Sequence, residues 1–105
     1  MTNYSKFKIN IDDSNFLQFS VDHYESKYRV CVTKYTRLDR SGLVETCPFD
    51  KGNFNIVVTT GRKSEKKLKA ISDFINTHLE DLYKQWSEEK YQELAQRFFD
   101  LGRII

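Results

Sequence analysis

Asp22-His23-Tyr24-Glu25 is the densest run of acid–base side chains in this chain. A general acid and a general base must converge on one reacting centre to cooperate. In an extended segment Asp22 and Tyr24 point to one side and His23 and Glu25 to the other. The run therefore does not assemble a catalytic pair by itself. His23, Cys31, Cys47 and His78 are the softer metal-ligand types, but their separations of 8, 16 and 31 residues fit no finger or ribbon. Neither a G-x-S-x-G elbow nor an H-E-x-x-H pair occurs. No catalytic residue, metal site or cofactor is expected, and the chain reads as a binder rather than an enzyme.

The segment Thr60-Gly61-Arg62-Lys63-Ser64-Glu65-Lys66-Lys67-Leu68-Lys69 carries a different chemistry. It leads into a helical pattern with five cations and one acid. The N-terminus of a helix is the positive end of its dipole, and each cation there costs about a few tenths of a kcal/mol. Free backbone N–H groups beside clustered Lys and Arg suit an anion, phosphate above all. Arg62, Lys63, Lys66 and Lys67 are the candidate phosphate ligands. The G-x-x-x-x-G-K spacing of a nucleotide P-loop is not present. Solvated lysines on a good helix former are the plainer account of the same residues.

The elements that must position these groups follow from periodicity. Apolar residues alternate with polar ones at Phe7, Ile9 and Ile11, at Leu17, Phe19 and Val21, and at Tyr28, Val30 and Val32, the pattern of half-buried strands. Asp12 to Asn15 supplies turn chemistry, Glu25-Ser26-Lys27 is a polar break, and Asp39 to Gly42 reads as a further reversal. Leu43 to Phe49 reads as a short strand, which Pro48 confines to an edge or ends. Asp50 to Asn53 reads as a hairpin turn before Phe54, Ile56 and Val58. Short connections favour a five-strand antiparallel meander over about residues 5–60.

From Ser64 the period becomes helical. Leu68, Ile71, Ile75, Leu79, Leu82 and Trp86 share one face. Ser87 reads as the N-cap of a second helix, with Glu88 and Glu89 in its first turn and Trp86 and Tyr91 as a hydrophobic staple. Tyr91, Leu94, Ala95, Phe98 and Leu101 form the second stripe, and Gly102 reads as its stop. The expected fold is α+β: one domain spanning residues 1–105, a sheet (1–60) with two amphipathic helices, about 62–86 and 88–102, packed on one face. Phe98 and Phe99 cannot both face that sheet, so Phe99, with Phe74, is a candidate self-association surface.

The opposite parity of the strands gives the uncovered face. It carries Lys6, Lys8, Asn10, Gln18, Ser20, Arg29, Thr33, Tyr35, Arg37, Asn53, Asn55, Val57 and Thr59. Cations that track phosphate, rings that stack on bases and amides that meet base edges are the means of single-strand recognition. Arg29, Thr33, Tyr35, Arg37, Asn53 and Asn55 are the candidate ligand contacts. A polar, solvated outer face is the ordinary alternative for an antiparallel sheet.

Composition bounds the partners. The 105 residues form one core at most, and 39% hydrophobic with 30% charged residues is a globular balance. Residues 1–69 hold 13 Lys and Arg against eight Asp and Glu, whereas residues 70–105 hold four against seven. Two cysteines in no redox spacing, no apolar run of spanning length and a polar N-terminal segment lead to an expectation of a cytoplasmic chain without membrane attachment. The expected function is non-catalytic binding of a phosphate-bearing ligand, above all single-stranded nucleic acid, by a homo-oligomer. The alternative is a small inhibitor of mobile-element type that blocks a protein partner or sequesters a small nucleotide at an oligomer interface.

Overall fold

The computed structural model describes residues 5–37, 44–46 and 54–105. Five strands precede two helices: β1 (Ser5–Asn10), β2 (Asn15–Tyr24), β3 (Lys27–Arg37), β4 (Val44–Thr46), β5 (Phe54–Thr60), α1 (Glu65–Ser87) and α2 (Tyr91–Ile104). All strand pairs are antiparallel, and the class is α+β as the periodicities imply. The meander is corrected. Both β4 and β5 pair with β3, β4 opposite Tyr35 to Arg37 and β5 opposite Lys27 to Val32. The sheet is therefore four strands wide, and β4 and β5 share its last position. Each is antiparallel to β3, so the two run the same way and are not antiparallel neighbours of one another. Residues 39–42 and 47–53, including Pro48 and the turn expected at 50–53, lie outside the described residues.

The long β2–β3 pairing is what makes a shared edge possible. Ten residues of β2 pair with β3 from Asn15↔Thr36 to Tyr24↔Lys27, so β3 offers a full-length opposite edge to two short partners. At the tip, Glu25 (φ 50°) and Ser26 (φ 63°) both take positive φ, the demand of a two-residue type I′ turn. At the other end of β2, Asp12 ties the β1–β2 turn. Its Oδ1 accepts from the backbone amides of Ser14 (2.8 Å) and Asn15 (2.9 Å).

Along β5 the register slips between Tyr28 and Arg29. Arg29 faces Val57 and Tyr28 faces Thr59, so Val58 is the extra residue of a bulge and turns into the core at 5% exposure. This takes Thr59 off the outer-face register expected for it. The inner face of the sheet supplies Leu17, Phe19, Val21, Tyr28, Val30 and Val32, none of them exposed. Leu68, Ile71, Ile75 and Leu82 of α1 and Leu94, Phe98 and Leu101 of α2 close one core over it. These are the stripes that the 3.6-residue period marks out. Leu79 and Trp86 lie at its margin.

The helix boundaries differ from the expected ones. Ser87 ends α1 rather than capping α2, and its hydroxyl donates to the carbonyl of Lys84 (2.9 Å). Glu89 takes the left-handed conformation (φ 59°), its N–H donates to Trp86 O, and Lys90 N–H donates to Gln85 O. This pair of bonds is a Schellman motif closing α1. Glu88 and Glu89 thus belong to the link, and α2 starts after Lys90, so Trp86 and Tyr91 do not form the expected staple. Gly102 lies inside α2 instead of stopping it. Within α1, His78 departs from helical geometry (φ −110°, ψ 18°) and marks a kink.

Candidate functional site

Neither described helix lies on the outer face of the sheet: α1 and α2 both pack on the side of Phe19, Val30 and Ile56. Strand register arranges that outer face in rows. Lys6 stands beside Ser20, Cys31 and Asn55, and Lys8 stands beside Gln18 and Thr33. Phe16 stands beside Tyr35, Asp22 beside Arg29 and Val57, and Tyr24 beside Lys27. Lys6, Lys8, Lys27 and Asn55 are exposed, whereas Arg29, Thr33 and Tyr35 are half-buried. Asp22 is the one carboxylate on this face among the described side chains. The side chain of Arg37, and Asn53 altogether, lie outside what is described.

Two aromatic groups stand at opposite ends of β2. At one end, Phe16 and Tyr35 stack with centroids 5.1 Å apart and planes 12° apart. The Lys8 ammonium sits 5.1 Å from the centroid of Phe16, and that ring is 8% exposed. Tyr35 is therefore the more accessible ring of the pair. At the hairpin end, Tyr24 is 59% exposed with the Arg29 guanidinium 5.4 Å from its centroid. Eight residues of β3 separate the two ends, about 26 Å at the usual strand rise.

Arg29 is not an open phosphate ligand. Its Nε and Nη2 donate to the two carboxylate oxygens of Asp22 at 2.9 and 3.1 Å, a bidentate cross-strand pair. The Asp22 hydrogen bond raises the Arg29 pKa still further above its ordinary value. The charge is locked to its neighbour and largely cancelled. Cys31 carries a free thiol on the same face, and burial raises its pKa.

The basic start of α1 is built into the protein rather than held open. Gly61, at φ 136°, is in a conformation reserved for glycine. Its N–H donates to Ser26 O (2.8 Å), and its carbonyl accepts from His23 Nε2 (2.8 Å). The Tyr28 hydroxyl donates to Arg62 O. The tip of the β2–β3 hairpin is thereby laced to the loop that begins α1. Lys67 folds back, its ammonium 5.7 Å from the centroid of Tyr28. Ser64 is the N-cap and accepts from Lys67 N–H at 3.4 Å, which occupies one of the amides an anion would use. Glu65 occupies the first helical position, so the acid preference of helix starts is partly met. Lys63 is engaged within the chain, and Arg62 and Lys66 are exposed.

The two parts of the expected site are thus separated. His23 and Tyr28, which receive residues 61–67, face the helical layer, whereas Lys6, Lys8 and Lys27 face away from it. Phe74 is taken up between the helices, 5.4 Å from Phe98 in an edge contact and 4.7 Å from His78. Its aromatic character serves that seam, while Phe99 stays 44% exposed. Among the described residues no cluster of three or more His, Cys, Asp or Glu could hold a metal ion. None of the described helices is long and apolar enough to cross a membrane. A recess of about 350 Å³ at the β1–β2 turn is lined by residues Asn10 to Phe16 alone, with Asp12 and Asp13 and no cation. It is a poor host for a nucleotide.

Comparison with protein families, with curated proteins and with solved structures finds no match for this chain. What the face can do rests on its own geometry. Tyr24 and Lys27 also lie on this face beyond the residues expected there, and Tyr24 is legible in the sequence because it continues the Gln18, Ser20, Asp22 parity to the end of β2.

Proposed function

We propose that the protein binds single-stranded nucleic acid along the face of its sheet opposite the two described helices, holding the strand without transforming it. One observation carries this reading: the face opposite the two described helices presents exposed Lys8 and Lys27, an exposed Tyr24 ring at one end and a half-buried Tyr35 at the other, and its one described carboxylate is held by Arg29. Cations spaced along a face about 26 Å long follow a phosphate backbone, and the rings meet bases. The start of α1 is secondary in this reading, because Lys67 and the backbone at 61–64 serve the fold.

Fluorescence polarisation with a labelled single-stranded dodecamer at about 50 and 200 mM salt tests it. Two phosphate contacts, at Lys8 and Lys27, give a slope of about −1.4 in log K against log salt, or about 7-fold weaker binding at the higher salt. Lys8→Glu with Lys27→Glu is expected to abolish the salt-dependent part. Absence of binding by the unaltered protein at low salt removes the proposal.

A further inference from the structure

At the hairpin end of the outer face the cation over the aromatic ring is itself held in place by a carboxylate. Tyr24 is 59% exposed, Arg29 lies 5.4 Å from its centroid, and Asp22 grips that guanidinium with both oxygens. The tight Glu25–Ser26 turn fixes the strand ends that carry all three residues. Arg29 cannot swing out to phosphate without leaving Asp22, so its plane serves the tyrosine. A ring with one face against a guanidinium and most of its area open has a face to give to another flat π-system. Lys27, directly across from Tyr24, is exposed beside it and matches the charge of a phosphate, and Val57 adds apolar surface on the far side of Arg29.

We infer that Tyr24 is a stacking subsite for an unpaired nucleobase, with Arg29 and Asp22 as its positioning residues rather than as ligands of phosphate. This deepens the single-strand reading and rests on it. The occupant is the base ring, shared by DNA and RNA. Charge complementarity selects a nucleic acid, because Lys27, with no ion pair among the described residues, is the cation left at the subsite, while Arg29 contributes orientation.

The test compares a labelled thymidylate dodecamer with an abasic dodecamer of the same phosphate count, and repeats the first with uridylate. Stacking of one base corresponds to a change of about 5- to 150-fold. Tyr24→Ala is expected to weaken thymidylate and uridylate binding by that factor and to leave abasic binding and the salt slope unaltered. Tyr24→Phe keeps the affinity, which also guards against a folding defect. Asp22→Asn releases Arg29, so the salt slope steepens by about 0.7 while the preference for bases over the abasic strand falls. Equal loss on both probes in Tyr24→Ala, or no loss on either, overturns the subsite and leaves strand binding intact. Failure of the unaltered protein to bind any probe overturns both.

Discussion

Gly102 touches β5 where any other residue would collide with Val58. A Cβ built on Gly102 would stand 1.9 Å from the Val58 carbonyl oxygen and 2.9 Å from its carbonyl carbon. The obstruction is backbone, held in the bulge of β5, and cannot rotate aside. Close approach of α2 to the sheet therefore depends on the missing side chain. Gly102→Ala gains helix propensity, about 1 kcal/mol, but must push the helix off the strand. A backbone clash this close puts the overpacking cost at the upper end of about 1–3 kcal/mol, so a net destabilisation of about 1–2 kcal/mol is expected. Urea denaturation monitored by Trp86 fluorescence measures it, and an unchanged midpoint contradicts the packing account.

Glu89 closes α1 in the left-handed region without being glycine. A side chain there costs about 1 kcal/mol or more, and the Schellman bonds to Trp86 and Gln85 need only backbone. Glu89→Gly is expected to raise stability by up to about 1 kcal/mol, read as a higher thermal midpoint. A fall would mean that the Glu89 side chain contributes more than its conformation costs.

The β2–β3 turn carries Glu25-Ser26 where a type I′ turn favours Asn-Gly. Glu25→Asn with Ser26→Gly relieves two positive-φ residues, and a gain of about 1 kcal/mol is expected. The same exchange leaves Tyr24 and Arg29 in place, so strand binding in the polarisation assay should persist. Loss of binding with a raised midpoint would show that the turn side chains take part in contact.

Asp12 gives the acid response a local address. The side chain of Asn15 first, then the backbone N–H of Ser14, hold its carboxyl below the ordinary carboxylate range. A lowered folded-state pKa contributes stability that is present above the ordinary value and is lost as pH falls through the lowered one. Asp12→Ala is therefore expected to lower the urea midpoint at neutral pH and to narrow the difference between pH 7 and about pH 2. An equal deficit at both pH values would place the effect in packing instead.

Helix ends show where local signals mislead. Ser87-Glu88-Glu89 has the composition of a helix start, yet the same residues close α1, because a reversal must first satisfy the carbonyls it leaves behind. Gly102 reads as a stop, since the sequence does not reveal that a strand backbone lies under it. Phe74 departs from the main stripe of α1, and only the arrival of Phe98 from α2 explains its use.

The amino-acid order by itself determined the two periodicities, and with them the strands, the helical stripes and the division of the sheet into an apolar and a basic face. Those features are local, written within one or two turns of helix or a few residues of strand. Tertiary structure alone decided that β4 and β5 share one edge of β3, that Lys67 turns inward over Tyr28, and that Arg29 is cancelled by Asp22 while Tyr24 stays open. Each of these depends on pairing between residues distant along the chain, and whether a charge or a ring is available is set by the neighbour that register brings beside it.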